Sequence, residues 1–214
     1  MEAFRYNNLV YIPITKHAST SYRHLFRDVL HWQEIQSDEI NWTVDHVFAH
    51  LLHPYTRHLK GITECILKYN LSDLLDNNNF LKLLGTAVFD LHSYPLATAL
   101  GNKLYKIDWL LLDHHIYDSD YITLNFLNHH GIKIDSIPKL NSSHSDEKIL
   151  LKKIQQIRDD NNLTGTLTYF YEQDVVLYDR VNRHSKYHEL NNDKSWEECS
   201  WLTNYTPVKV EVDL

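Results

Sequence analysis

Between Leu9 and Leu30 the chain reads LVYIPITKHASTSYRHLFRDVL: an apolar run, a turn holding one lysine, three consecutive hydroxyl residues, then an amphipathic segment. That order calls for a strand, a short loop and a helix that starts near the strand's end. The first-turn N–H groups of such a helix lack intrahelical acceptors, and its dipole favours negative charge. The unit is therefore a general device for gripping phosphate or sulfate. Lys16 offers a compact ammonium to the same anion, and Ser19, Thr20 and Ser21 offer hydroxyls. Two plainer readings stand beside this one. Ser or Thr at a helix start is the usual N-cap, and a loop lysine is commonly just solvated. The segment also lacks the G-x-x-x-x-G-K-S/T pattern of a P-loop nucleotidase.

The rest of the chain alternates in the same manner. Strands are predicted at Leu9–Ile14, His46–Leu52, Tyr105–Leu112 and Ile132–Ile137. The first and third are near-continuous apolar runs, as suits strands covered on both faces. In the first helix Tyr22, Leu25, Phe26, Val29 and Leu30 share one face, leaving Arg23, Arg27 and Asp28 outward. Further helices are predicted at Tyr55–Tyr69, Ser72–Leu84, Ser119–His130 closed by Gly131, Ser145–Asp160, and Thr166–Val181. Alternating strands and helices place the chain in the α/β class, with a parallel sheet and ligand loops at the strand C-terminal ends. With 214 residues, no internal repeat and no linker, it reads as a single domain over 1–214, with a less firmly attached tail from about 191.

Composition removes several functions. A formal charge of −7 gives no general attraction to nucleic acid. No apolar run reaches the roughly 20 residues of a membrane span, and MEAFRYNNLVYIP has no charged-then-apolar leader. Cys65 and Cys199 make no disulfide framework. The expectation is a cytoplasmic protein with neither nucleic acid nor membrane as partner. Fifteen histidines suggest a metal, but His114-His115 and His129-His130 are adjacent pairs whose side chains diverge, and no H-E-x-x-H spacing occurs. No metal is expected.

Several segments carry a family resemblance. TKHASTSY (Thr15 to Tyr22) resembles the 5′-phosphosulfate loop of the sulfotransferases, P-K-T/N-G/A-S/T-S/T-S, with Thr15 at the proline position. HVFAHLLHPYTRHLKG (His46 to Gly61) resembles their second signature, a strand running into R-D/N-P-Y/F-x-R-x-x-S-G/A. Pro54, Tyr55, Arg57 and Gly61 match; Leu52 stands at the first arginine and Lys60 at the serine. DLHSYP (Asp90 to Pro95) is similar to the H-x-x-P segment of the carbohydrate-type members. KLNSSHSDE and YFYEQDVVLYDRV are similar to the closing N-x-S loop and Y-x-x-D-x-x-L-Y/F helix. Order and spacing agree over roughly residues 9 to 181. In its brevity the chain looks like the short soluble members carried by bacteria and their phages.

The resemblance implies a P-loop-like three-layer fold with a central, mostly parallel sheet flanked by helices. It also implies in-line sulfuryl transfer from 3′-phosphoadenosine 5′-phosphosulfate to a hydroxyl or amine of a carbohydrate or small-molecule acceptor, leaving 3′,5′-diphosphoadenosine. On this comparison Lys16 neutralises the leaving phosphate oxygen, and His17, Ala18, Ser19, Thr20 and Ser21 hold the 5′-phosphosulfate with it. Arg57 and Lys60 hold the 3′-phosphate, and Asn141 and Ser142 close over the nucleotide. The transfer needs positioning, charge stabilisation and a base for the acceptor proton. His92 and Glu34 are the candidate bases, with Asp45 and His46 behind them. Ser37–Val44 and Leu91–Lys103, with Trp42 and Tyr94, are the expected acceptor loops. The departures at Thr15 and Leu52 keep open a catalytically silent relative that serves as a nucleotide-binding or interaction module. A nucleotide kinase is disfavoured by the missing glycines and the lack of an evident Mg²⁺-binding pair.

Overall fold

The computed structural model describes residues 1–76, 80, 94–113, 119–140 and 145–189. Over these residues β1 (Glu2–Tyr6), β2 (Leu9–Tyr11), β3 (Gln33–Gln36), β4 (His46–Leu51) and β5 (Ile107–Leu111) form one sheet in the order β3-β1-β2-β4-β5. The described helices are α1 (Ser19–His24), α2 (Pro54–Tyr69), α3 (Leu96–Leu100), α4 (Ser119–His129), α5 (Ser145–Asp160) and α6 (Thr164–Glu189). None of them is long and apolar enough to cross a membrane.

The α/β class expected from the alternation is present, but the sheet is mixed. β2, β4 and β5 are parallel, with Tyr11 opposite Phe48 and Phe48 opposite Asp108. β1 is antiparallel to both β2 and β3. The reason is local. Asn7 and Asn8 join β1 to β2 across a two-residue turn, with Asn7 at φ +54°. So short a connection can only bring its strands back antiparallel, because parallel neighbours need a long crossover.

Several predicted elements differ in the structure. Pro13 has no N–H to give a ladder, so β2 stops at Tyr11 rather than Ile14, and the Ile12 N–H makes a last bond to Phe48 O at 3.0 Å. Helix α1 runs directly into a π-helical turn, Leu25–Val29, closed by the Leu30 N–H on Leu25 O at 2.9 Å. The wider turn rotates Val29 out of the apolar stripe, and it is 48% exposed. Ile132–Ile137 makes no strand. Ile132, Ile134 and Ile137 instead pack against the cluster under α1 and α4 without a ladder. Of the predicted Ser72–Leu84 helix, Ser72–Asp76 is a 3₁₀ turn; beyond it only Phe80 lies within the described residues. Helix α6 is longer than predicted at both ends and bends at Tyr171. The tail from 190 lies outside the described residues.

Both faces of the sheet are covered. Along β4, Val47, Ala49 and Leu51 turn to one side and meet Leu96, Leu100, Leu177 and Val181 from α3 and α6. Phe48 turns to the other side and meets Tyr22, Phe26, Phe126 and Leu127 from the α1 and α4 side. Helix α2 packs on α5 through Leu59, Ile62, Ile66, Leu150 and Ile154.

His50 interrupts the apolar pattern on the α1 side of β4, fully buried and stacked on the Tyr22 ring at 3.6 Å. Its Nε2 lies 2.9 Å from Thr123 Oγ1 and its Nδ1 lies 3.3 Å from the Tyr11 hydroxyl. Thr123 donates its own proton to Ser119 O, so it accepts from both His50 and Tyr22. That leaves Nδ1 to accept from Tyr11. Every donor finds a lone pair only while the imidazole is neutral, and burial pulls the His50 pKa down to about 3.

Stability should therefore fall in acid. An unfolded histidine takes up a proton below about pH 6.5, whereas folded His50 does not until about pH 3. The contribution is full above pH 6.5 and shrinks as pH falls, by about 2 kcal/mol at pH 5. Urea unfolding of the wild type between pH 7.5 and pH 5 should show at least this slope, and His50→Gln should make it shallower, the buried His17 keeping its own share. Equal slopes would contradict the assignment.

Candidate functional site

The C-terminal ends of β2, β4 and β5 open on one edge of the sheet, where open α/β sheets place their ligand crevices. Three segments leave from this edge: residues 12–18, the His53 start of α2, and Leu112-Asp113.

The first segment is held in a costly conformation. The His17 N–H donates to Ile14 O at 3.1 Å, closing a turn with Lys16 at φ +66°. Ala18 follows at φ +54° and occupies the N-cap of α1. Left-handed backbone at a residue with a Cβ costs about 1–2 kcal/mol. Alanine also brings no capping oxygen. Ser19, Thr20 and Ser21 consequently lie inside the first turn of α1, not at its cap, and the N-cap residue Ala18 gives that turn no side-chain hydrogen bond. The ordinary N-cap reading of these hydroxyls does not describe the structure.

His17 fastens this turn to the sheet. It is fully buried, and its Nδ1–H donates to His50 O at 2.6 Å. Among the described residues Nε2 has no hydrogen-bond partner. Burial, with Arg57 and Lys60 nearby, holds its pKa well below the usual histidine value, so the ring is neutral.

Helix α2 faces the turn with Arg57, Lys60 and Glu64, spaced three and four residues apart and hence on one side. Arg57 is buried; its Nη1 donates to Tyr94 O at 2.6 Å and its Nε reaches Thr15 O at 3.5 Å. Glu64 forms an ion pair with Lys16. Ser21 Oγ donates to Leu140 O at 2.9 Å and accepts from the Leu140 N–H at 3.1 Å. This bond brings the chain just before Asn141 to the start of α1.

A second group sits at the mouth of β4 and β5. The His53 N–H donates to Asp113 Oδ2 at 3.2 Å, and the Tyr178 hydroxyl donates to Asp113 Oδ1 at 3.0 Å. The His53 and Tyr178 rings meet edge to face at 4.7 Å. His53 Nδ1 accepts the Tyr55 N–H, capping α2. Burial lowers the His53 pKa, while burial and Asp113 raise that of the Tyr178 hydroxyl.

The structure thus groups Lys16, His17, Ala18, Ser19, Thr20 and Ser21 with Arg57 and Lys60. Glu34 is not part of this group: it lies exposed on edge strand β3, two strands from β2 and in register with Phe4. Asp45 and His46 lie at the opposite end of the parallel strands, engaged by Arg5 and Asp108. His92, Asn141 and Ser142 fall outside the described residues. Trp42 packs against the core with the Lys103 ammonium 5.2 Å from its ring centre. Sequence reasoning missed Glu64 and Asp113; it named His17 as a cofactor-binding residue, and the structure turns that imidazole to His50 O. The signal for Glu64 was present in its seven-residue spacing from Arg57. Among the described residues no three His, Cys, Asp and Glu side chains converge in metal-binding geometry. No family model, curated protein or solved structure matches the chain.

The strain at Ala18 is open to measurement. Ala18 is exposed, so Ala18→Gly removes little packing while relieving a positive φ. It should raise stability by about 0.5–1 kcal/mol. Chemical denaturation checks this, and a loss of stability would contradict it.

Proposed function

We propose that the chain is a sulfotransferase of P-loop-like, three-layer architecture. It moves a sulfuryl group from 3′-phosphoadenosine 5′-phosphosulfate to a hydroxyl or amine of a carbohydrate or small-molecule acceptor. It works in the cytoplasm, that of a host cell if the chain is viral. One observation carries the reading most: a helix with hydroxyl residues in its first turn, and no side-chain cap from its N-cap residue, follows a parallel strand, with Lys16 in the turn before it. First-turn N–H groups, hydroxyls and an ammonium suit a phosphosulfate, and an alanine N-cap leaves those N–H groups without the oxygen that Ser, Thr, Asp or Asn would bring.

In this reading the N–H groups and hydroxyls of Ser19 and Thr20 hold the phosphosulfate. Lys16 moves onto the leaving phosphate oxygen and neutralises charge as the S–O bond breaks. Ser21 has a positioning part, since its hydroxyl already ties Leu140 to the start of α1. Arg57 keeps the Thr15 turn and Tyr94 together, and Lys60 beside it supplies charge for the 3′-phosphate. His92 remains the preferred base for the acceptor proton; Glu34 is set aside because of its place on β3.

The second reading, a silent nucleotide-binding or interaction module, is favoured by Leu52. It is a buried apolar residue at the end of β4, where the resembled family carries an arginine.

Thermal unfolding with 3′,5′-diphosphoadenosine tests the assignment. Ligand at a hundredfold excess over Kd adds about 2.7 kcal/mol, a rise of roughly 5–10 °C for a chain this size. Lys16→Ala and Lys60→Ala should reduce that rise. An unchanged wild-type midpoint at millimolar nucleotide would sink the nucleotide reading. Binding without transfer of labelled sulfate to a carbohydrate and small-molecule panel would favour the silent module.

A further inference from the structure

We infer that Glu64 is an internal placeholder for the ligand anion, holding Lys16 until a pyrophosphate-like group displaces it. This rests on the anion-cradle reading of the Thr15–Ser21 turn. Lys16 belongs to the turn after β2, whereas Glu64 belongs to the third turn of α2, so the pair spans two elements. Its side chains are partly shielded, 20% exposed for Lys16 and 37% for Glu64. Attraction in such a place is screened less than at an open surface.

The surroundings favour a carboxylate only while the cradle is empty. Arg57 is buried beside the turn and Lys60 stands one helical turn before Glu64, so a carboxylate here offsets a concentration of positive charge. A bound pyrophosphate would bring more negative charge to the same ammonium, and Glu64 would then face a like charge. One lysine cannot serve both at full strength. Ligand binding must therefore break the Lys16–Glu64 contact, and the free energy of that contact is subtracted from affinity. The pair also holds the Lys16 ammonium against α2 and not extended into solvent. Glu64 is thus a positioning residue that orders the lysine and lowers affinity, which favours release of a tightly held product.

Two chemistries could displace Glu64, inorganic pyrophosphate and the phosphates of a nucleotide, so calorimetric titration should use both inorganic pyrophosphate and 3′,5′-diphosphoadenosine. Glu64→Gln should bind either probe at least tenfold more tightly than wild type, with Glu64→Ala as a second variant should one fold poorly. In a Lys16→Met background the same Glu64 substitution should have little effect, because the placeholder acts through the lysine. A purely structural glutamate would instead lower melting temperature and affinity together. If wild type binds the nucleotide while Glu64→Gln and Glu64→Ala bind it no better, the placeholder is wrong and the nucleotide reading stands. A gain that persists in the Lys16→Met background also overturns it, since Glu64 would then act only as general negative charge. If neither wild type nor the Glu64 variants bind either probe, both readings fall.

Discussion

The buried guanidinium of Arg57 is the contact on which the arrangement of this edge depends. A charge taken out of water costs several kcal/mol unless its hydrogens are answered. Here Tyr94 O accepts from it, and Thr15 O lies at its Nε. Those carbonyls belong to segments far apart in the chain, so one side chain on α2 fixes the turn after β2 against the lead into α3. The next link is Asp174 on α6, buried and accepting the Leu96 and Ala97 N–H groups at 2.7 and 2.9 Å. Its carboxylate caps a helix elsewhere in the sequence, and Arg57 lies close enough to oppose the upward push of burial on its pKa. Helices α2, α3 and α6 and the β2 turn are thereby held as one unit.

On the other face of the sheet, order depends on imidazoles that stay neutral. His50 sits among Tyr11, Tyr22 and Thr123 with each hydrogen accounted for, and its backbone carbonyl receives the His17 Nδ1–H. A strained turn carrying Lys16 is therefore pinned to the centre of the sheet by groups that do not titrate near neutral pH. Because the pin carries no charge, it does not compete with an anion for Lys16, whereas Glu64 does.

Much of this was legible in the chain. The apolar runs of β2, β4 and β5 and the extents of α2 and α5 follow from residue pattern, whereas the first strand, read through Pro13 to Ile14, ends at Tyr11. β1 was not legible: EAFRY is short and carries two charges, and only the hairpin through Asn7 makes it a strand. Ile132–Ile137 misled in the opposite direction, since its three isoleucines report burial and not a ladder partner. The hydroxyls at residues 19–21 were legible as a helix start, but their offset from the cap depends on Ala18 adopting φ +54°, which residue type alone does not reveal.

The sequence by itself determined a strand, a lysine-bearing turn and a helix start in that order, and the helix that carries Arg57 and Lys60. Local propensity and spacing decide such things. Tertiary structure decided what those charges do: Arg57 is turned to backbone carbonyls, Lys16 to Glu64, and Glu34 is carried to a distant edge strand. Each outcome depends on which segments the sheet order brings within a few ångströms, and hydrogen bonding and charge pairing act only at that range.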